Sequence, residues 1–229
     1  MSRRRFFADA LQQGAARLEG AHAHHLAQVL RAQPGQEYEL AFAGRIYLGR
    51  ITGVRAQRVE FEVVEELPQP VAERPVELGM ALFKFDRWEW MVEKATELGL
   101  THLTPLSCRR TDPKLAAAAA GRRTRWLQIA RGAAEQSRRA SWPEIMPPQA
   151  LSAWLAKPHA GTRQLLSEAP EAPMLTAVPG AVVLLAGPEG GLAEEEAAAA
   201  VNLGFAPVSL GPRILRCETA VLAALARLI

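Results

Sequence analysis

Two glycine-rich turns near the carboxyl terminus carry the residues best suited to ligand chemistry. The apolar run Ala181–Ala186 ends in Gly187–Gly191 (GPEGG), and the run Phe205–Leu210 ends in Gly211–Arg213 (GPR). Glycine lets backbone amides and carbonyls approach a ligand closely, because it reaches positive φ without a steric penalty. Ligands of open α/β sheets bind beyond the carboxyl ends of the strands. The two turns are therefore predicted to form two walls of one ligand site.

Charge and spacing narrow the class of ligand. Neither the P-loop pattern G-x-x-x-x-G-K-[ST] nor the dinucleotide fingerprint G-x-G-x-x-G is present. Glu194, Glu195 and Glu196 are predicted to occupy the first turn of the helix after GPEGG. Carboxylates there suit the positive end of the helix dipole, but they would repel a phosphate. The turns therefore favour a ligand with positive or zero net charge. Because the dinucleotide fingerprint is absent, the sequence also argues against a dinucleotide-dependent oxidoreductase.

The elements before these turns divide at the proline-rich segment Leu67–Pro70. Residues 1–70 are predicted to contain a short helix and three strands, which suggests a small β-barrel. The helix is placed at His22–Arg31, and the strands at Tyr38–Phe42, Arg45–Val54 and Arg58–Val64.

Residues 71–229 alternate between strand-like and helix-like patterns. This alternation predicts an α/β domain with a mostly parallel sheet and helices on both faces. The predicted strands are Val76–Phe83, His102–Leu106, Gln164–Leu166, Val182–Ala186 and Ala206–Leu210, and the predicted helices are Trp88–Leu98, Leu115–Arg138, Leu151–Ala156, one after Gly191, and one from about Arg216.

Composition bounds the class of protein. The chain has 229 residues, of which 49% are hydrophobic, enough for one or two globular domains with a real core. No apolar run reaches the ~20 residues needed to span a bilayer, and no apolar segment of a signal peptide follows the basic start. Cys108 and Cys217 lie far apart and form no metal-ligand cluster. We therefore expect a cytoplasmic protein without membrane or metal partners.

The distribution of charge is more informative than its total. The net charge is only +3, but residues 108–140 hold nine Lys or Arg against Asp112 and Glu135. The planar guanidinium of arginine suits phosphate contact and stacking on bases. A GC-rich genome explains an excess of Arg over Lys equally well, but it does not explain the clustering. The cluster favours a nucleic-acid partner.

Several blocks of the sequence resemble the RsmE family, which belongs to the SPOUT superfamily of S-adenosylmethionine (SAM)-dependent RNA methyltransferases. The resemblance spans nearly the whole chain, and its most specific block is Ser209–Thr219. One residue departs from the family pattern, because Cys217 stands where Thr is expected. The matching blocks are Gly187–Gly191 (GPEGG), Ser209–Thr219 (SLGPRILRCET), Trp88–Leu100 (WEWMVEKATELGL), Ala134–Arg138 (AEQSR) and His25–Arg31 (HLAQVLR).

The resemblance implies a fold and an activity. The expected fold is α/β: a PUA-like RNA-binding β-barrel over residues 1–70, then a SPOUT-type parallel sheet over residues 71–229. Its C-terminal segment would thread a loop as a trefoil knot, a rare exception to the rules of chain topology. The implied enzyme is a homodimer that transfers methyl from SAM to N3 of a uridine in 16S ribosomal RNA of the small subunit.

The resemblance also assigns residues to the site. Arg216, Glu218 and Arg138 are the catalytic candidates: Arg216 would hold a uracil oxygen or a phosphate, Glu218 would orient the base or take its proton, and Arg138 would reach a partner's site. The candidate cofactor-binding residues are Leu166, Ser167, Gly187, Pro188, Glu189, Gly190, Gly191, Leu210, Gly211, Ile214, Leu215 and Cys217. The candidate RNA-binding residues are Arg3, Arg4, Arg5, His25, Arg31, Lys94, Arg109 and Arg110.

Simpler interpretations stay open for some of these residues. Glu218 suits the start of any helix, and Ile214 and Leu215 suit packing at a helix entry. Lys94 fits a solvated helix face. His22, His24 and His25 lack partners at metal-ligand spacing, and core roles are favoured for Trp126 and Trp142 over stacking on bases.

Two competing functions also stay open. Another SPOUT enzyme would methylate a ribose 2′-hydroxyl, although the Leu210–Thr219 motif disfavours it. A non-catalytic RNA-binding or assembly protein would not need both intact turns.

Overall fold

The computed structural model describes residues 3–70 and 73–229. These form two compact units. The first contains residues 3–70 together with Arg131–Trp142, and the second contains Glu73–Ala130 with Pro143–Ile229. The predicted domain limits place Arg131–Trp142 in the second domain, whereas in the structure this segment belongs to the first unit.

The first unit is built on one mixed six-stranded sheet, the open half-barrel of a PUA-like domain. The strand order is β1-β4-β5-β6-β3-β2, with β1 parallel to β4 and the other pairs antiparallel. The three predicted strands are confirmed as β4–β6, whereas the three short strands before them were not predicted. The bounds are β1 Arg5–Phe7, β2 Ala10–Gln12, β3 Ala15–Glu19, β4 Glu37–Phe42, β5 Arg45–Arg55 and β6 Arg58–Glu66.

The predicted helix of the first unit is divided in two. Helix α1 covers Gly20–His24, and a π-helical turn continues over His25–Val29. Ala23 and Leu26 are fully buried beneath it. The helical path ends before Arg31, which adopts a positive φ of 51°.

Alternation explains how this sheet packs. Ala16 and Leu18 of β3 are buried while their neighbours are exposed, as expected for a strand with one face on a core. The long strand β5 has a register shift at Leu48/Gly49, and a Cβ at Gly49 would clash with Leu40 of the neighbouring strand. A small residue is thus required where the strand is irregular.

The segment Arg131–Trp142 completes the first unit. Trp142 stacks edge-on against Phe7, with ring centroids 4.6 Å apart. Arg5 is buried and donates to the carboxylate of Glu39 at 2.7 Å, and Arg138 also pairs with Glu39. The guanidinium of Arg5, a predicted RNA-binding residue, is thus engaged with a buried carboxylate, and its RNA-binding role stays a prediction.

The buried carboxyl group of Glu135 should make the stability of this unit depend on pH. Its carboxylate accepts from the Phe7 amide at 3.2 Å, and burial raises its pKa to about 7. A raised carboxyl pKa means that the folded state holds the proton more tightly, so stability is lost as pH rises from about 4.5 to 7. We expect Glu135→Gln to gain about 1–3 kcal/mol relative to the parent over this range. Urea unfolding at pH 5 and pH 8 measures it, and a difference that does not change with pH would contradict it.

The second unit is a parallel sheet in the order β10-β8-β7-β12-β11-β13, with β9 also paired to β8. The predicted strands and helices are confirmed to within a few residues, whereas β9 and β10 were not predicted. The strands are β7 Val76–Ala81, β8 His102–Ser107, β9 Glu144–Ile145, β10 Gln149–Ala150, β11 Thr162–Leu166, β12 Val182–Ala186 and β13 Ala206–Val208. The helices are α2 Phe85–Glu97, α3 Pro113–Gln136, α4 Leu151–Leu155, α5 Glu194–Asn202 and α6 Cys217–Leu228.

Strand β12 shows why the sheet carries helices on both faces. Val182, Leu184 and Ala186 join one core with residues of α2, α3 and α6. Val183 and Leu185 join a second core with residues of α4 and α5. A strand buried on both sides is uniformly apolar, as parallel strands are. Trp126 of α3 is fully buried in the first of these cores, which confirms its predicted core role.

Within the described ranges, none of the helices combines the length and the apolar character that crossing a membrane requires.

Candidate functional site

Three neighbouring parallel strands end at the same edge of the second sheet. Strand β11 lies between β12 and β13, and the last residues of the three are Leu166, Ala186 and Val208. The Ser167 amide donates to the Val208 carbonyl at 2.9 Å. The segments after these strands, which hold the predicted cofactor-binding residues, therefore start side by side.

The first turn, Gly187–Gly191, is stabilised by a hydrogen bond between its own residues and by another from a neighbouring loop. The Gly191 amide donates to the Pro188 carbonyl at 2.8 Å, and Gly191 has a φ of +69°. A Cβ at Gly187 would lie 3.0 Å from the Leu192 amide nitrogen. Arg110 donates to the Gly190 carbonyl at 2.6 Å. Arg110, predicted to bind RNA, is thus a neighbour of the glycine turn.

The acidic start of α5 is confirmed. Glu194, Glu195 and Glu196 occupy its first turn. Glu196 accepts from the Ala193 amide at 3.0 Å and from the Arg109 amide at 2.7 Å, and the Arg109 side chain pairs with Glu195 at 3.1 Å. The loop after β8 is thereby tied to the helix that follows the glycine turn.

The second turn is held by Ser209. Its amide donates to the Pro173 carbonyl and its carbonyl accepts from the Leu175 amide, both at 2.8 Å. The Gly211 amide donates to its hydroxyl at 3.2 Å, and Gly211 has a φ of +120°.

The hydrophobic residues after the second turn have different environments. Ile214 is 82% exposed, so it does not pack at the helix entry, whereas Leu210 and Leu215 are half-buried. An exposed Ile214 beside a glycine turn is consistent with the predicted ligand contact.

Cys217 joins the two turns. Its thiol donates to the Gly187 carbonyl at 3.6 Å. Burial, with Glu189 and Glu218 nearby, raises the pKa of this thiol to about 12. The side chain is therefore a neutral donor, and the thiol can take the hydrogen-bonding role of the hydroxyl expected here in the family.

A polar cleft lies beside this junction, between the amino-terminal ends of α2 and α6. Its volume is ≈ 360 Å³. Glu218 is buried in it, and its Oε1 lies 3.4 Å from Nη1 of Arg87. The lining residues are Asp86, Arg87, Trp90, Arg216, Glu218 and Thr219. The cleft thus brings together two of the predicted catalytic residues, Arg216 and Glu218.

Sequence reasoning missed Asp86, Arg87 and Trp90. The signal was the helical spacing of α2, where Trp88, Met91 and Ala95 are buried. Trp90 lies off that buried face and is 47% exposed. A tryptophan off the core stripe of an amphipathic helix is the feature that could have drawn attention to this position.

The remaining predicted residues lie elsewhere. Arg138 belongs to the first unit, where it pairs with Glu39, and its catalytic role stays a prediction. Lys94 lies between the carboxylates of Glu93 and Glu97, each 2.8 Å from its ammonium group, which raise its pKa. Arg3, Arg4, His25 and Arg31 are exposed in the first unit.

Much of the predicted basic surface is engaged within the protein. Arg122 and Arg125 pair with Glu89, and Arg123 donates to the Ile145 carbonyl. Arg139 is buried. The clustering seen in the sequence therefore overstates the positive charge available to RNA.

No three His, Cys, Asp or Glu side chains of residues 3–70 and 73–229 are grouped so that they could hold a metal ion.

Known proteins are similar to this chain over nearly its whole length. The model of an RNA methyltransferase domain matches residues 70–229, and that of an RNA methyltransferase PUA domain matches residues 18–64. Ribosomal RNA small subunit methyltransferase E of Synechocystis is 37% identical over 224 residues, which is 92% of this chain and 71% of the relative. The protein of that name from Bacillus subtilis is 29% identical and covers 91% of this chain and 87% of the relative.

A solved structure agrees with these sequence matches. The ribosomal RNA small subunit methyltransferase E of Neisseria gonorrhoeae, crystallised with S-adenosyl methionine bound, superposes with a TM-score of 0.87 at 30% identity. The match covers 98% of this chain and 96% of that one. With two glycine turns joined at the edge of a parallel sheet and a PUA-like sheet before it, this chain belongs to the RNA methyltransferase family.

Proposed function

We propose that this protein transfers a methyl group from SAM to N3 of a uridine in 16S ribosomal RNA of the small subunit. The observation that carries the proposal is the contact of Cys217 with Gly187, which joins the two glycine turns next to the cleft of Glu218 and Arg216. The names of the relatives and the SAM-bound neighbour support both the cofactor and the substrate class.

The residues at the two turns fit SAM. Bound there, SAM supplies a methyl group already activated on a positively charged sulfur. The turns offer backbone groups at Gly187–Gly191 and apolar side chains at Leu166, Leu210 and Ile214, and Glu189 adds a negative charge. Such a wall suits an adenine ring and a cationic centre better than a phosphate.

The side chains of the cleft fit the demands of the acceptor. The uracil imide must lose its N3 proton at or before attack, and negative charge then spreads onto its carbonyl oxygens. Glu218 takes that proton or orients the ring, and Arg216 holds a carbonyl oxygen or a phosphate. Arg87 holds the Glu218 carboxylate in place at 3.4 Å. The protein therefore contributes position and charge, since the methyl donor is already reactive.

Several finer features belong to the same proposal. The C-terminal segment threads a loop as a trefoil knot, as the resemblance to the SPOUT superfamily implies. The enzyme acts as a cytoplasmic homodimer. Arg138 reaches the partner's site, and Arg3, Arg4, His25 and Arg31 face RNA.

The test is to incubate the protein with labelled SAM and small ribosomal subunits that lack the modification, then to identify the product nucleoside by mass spectrometry. N3-methyluridine supports the proposal. A 2′-O-methylated nucleoside would show a different SPOUT chemistry. SAM binding without any product, or no heat in calorimetry with SAM, would overturn the proposal.

Arg110 offers a separate prediction about SAM. Removing its bond to the Gly190 carbonyl loosens the first turn, so we expect Arg110→Ala to weaken SAM binding about three- to tenfold, the usual net value of one hydrogen bond at an exposed site. Isothermal calorimetry measures it. Arg109→Ala is the matched control, because only an exposed pair with Glu195 is lost and the backbone bond to Glu196 remains. Equal affinities in the two variants would contradict the role of Arg110.

A further inference from the structure

We propose that the cleft between α2 and α6 receives the target base, turned out of its RNA, and that the indole of Trp90 is the platform on which the base stacks. This inference rests on the proposed function. It assigns a role to Trp90, for which the resemblance to the RsmE family implied none. Enzymes that modify a base draw it out of the stack into a pocket, where aromatic side chains hold its faces.

The exposure of Trp90 is the first step of the argument. The buried face of α2 is already filled by Trp88, Met91, Val92 and Ala95. Trp90 is not part of that face, and it lines the cleft with 47% of its surface exposed. A binding role accounts for a large aromatic side chain kept in water beside the site.

The chemistry of the lining selects the kind of ligand. Arg87 and Arg216 face the cleft together with Asp86 and Glu218, so its formal charges balance. A phosphate would meet two carboxylates, and an alkyl chain would cover four charged groups without offering any of them a hydrogen bond. A neutral planar ring with donors and acceptors at its edge satisfies both the charged groups and the indole, which is the description of a nucleobase.

The position of the cleft supplies the last step. Glu218 follows Cys217, whose thiol reaches the Gly187 carbonyl of the first turn. A base stacked on Trp90 therefore lies next to the proposed cofactor turns. The ≈ 360 Å³ of the cleft lies within the usual range of small-molecule sites.

The experiment compares Trp90→Ala, Trp90→Phe and the parent in methyl transfer to small subunits that lack the modification. We expect Trp90→Ala to lower kcat/KM for RNA about tenfold or more, while the Kd for SAM and the oligomeric state do not change. Trp90→Phe should stay within about threefold of the parent, because a benzene ring also stacks. Val201→Ala is the matched control: its side chain is 44% exposed on α5, outside the cleft.

Two results would overturn the inference. One is a Trp90→Ala variant as active as the parent. The other is a loss of activity that accompanies a changed oligomeric state in sedimentation, which would make Trp90 part of an interface between copies. Quenching of tryptophan fluorescence by a short uridine oligonucleotide gives a readout independent of methylation. Quenching that Trp90→Phe abolishes supports the base pocket even if no methylated product forms, and unchanged quenching counts against it.

Discussion

Replacing Glu218 by Gln should lower the rate of methyl transfer about 100-fold or more, the usual range for the loss of a general base. Glutamine keeps the shape of the buried side chain but cannot take the N3 proton. The rate that remains would depend on uracil that has already ionised in solution, so it should rise with pH more steeply than that of the parent. Single-turnover rates at saturating SAM between pH 6 and 9 measure both effects.

The control for this variant addresses the simpler interpretation of Glu218. Glu194 is also an acidic residue in the first turn of a helix, but it is exposed and lies outside the cleft of Glu218. Glu194→Gln loses the same interaction with a helix dipole, so it should stay within about twofold of the parent. If the two variants behave alike, Glu218 has no chemical role. Thermal unfolding of both variants tests whether the fold is kept. We expect Glu218→Gln to stay folded, because Arg87 is partly exposed and water can solvate it when its partner is removed.

The largest expected effect on stability is at Gly161, which directly precedes β11. Its φ is +114°, and a Cβ there would clash with the Ala181 carbonyl oxygen. That same oxygen accepts the Thr162 amide at 2.9 Å, at the start of the pairing of β11 with β12. We expect Gly161→Ala to cost about 3 kcal/mol or more of unfolding free energy, because the strain of the backbone and the clash add. Urea unfolding measures it.

Gly180 separates the two causes. It has a φ of +73°, but a Cβ there would meet no atom within 4 Å. Gly180→Ala should therefore cost only about 1 kcal/mol, the penalty of the left-handed conformation alone. If both variants lose the same stability, the clash with Ala181 contributes nothing.

The SAM affinity of Gly161→Ala adds a functional readout. Strand β11 ends at Leu166 and Ser167 beside the two turns, so a disturbed start of the strand should also weaken cofactor binding under conditions in which the variant is folded.

Local patterns in the sequence determined most of the secondary structure and the positions of the two glycine turns. The apolar runs before the two glycine turns, the acidic start of α5 and the alternation of strands with helices each depend on neighbouring residues, and each is confirmed. The short strands β1–β3, β9 and β10 were not predicted, because two to five residues carry too little periodicity. Their strand conformation depends on pairing with neighbouring strands of the sheet.

Only the tertiary structure decided which charged residues are free to meet a ligand. Arg5 and Arg110 look alike in the sequence, yet one is buried against Glu39 and the other holds the Gly190 carbonyl. Trp90 and Arg87 lie about 130 positions before Glu218, and the packing of α2 against α6 brings them into one cleft. Pairing of charges and the convergence of distant helices depend on long-range contacts, which no local pattern of residue types encodes.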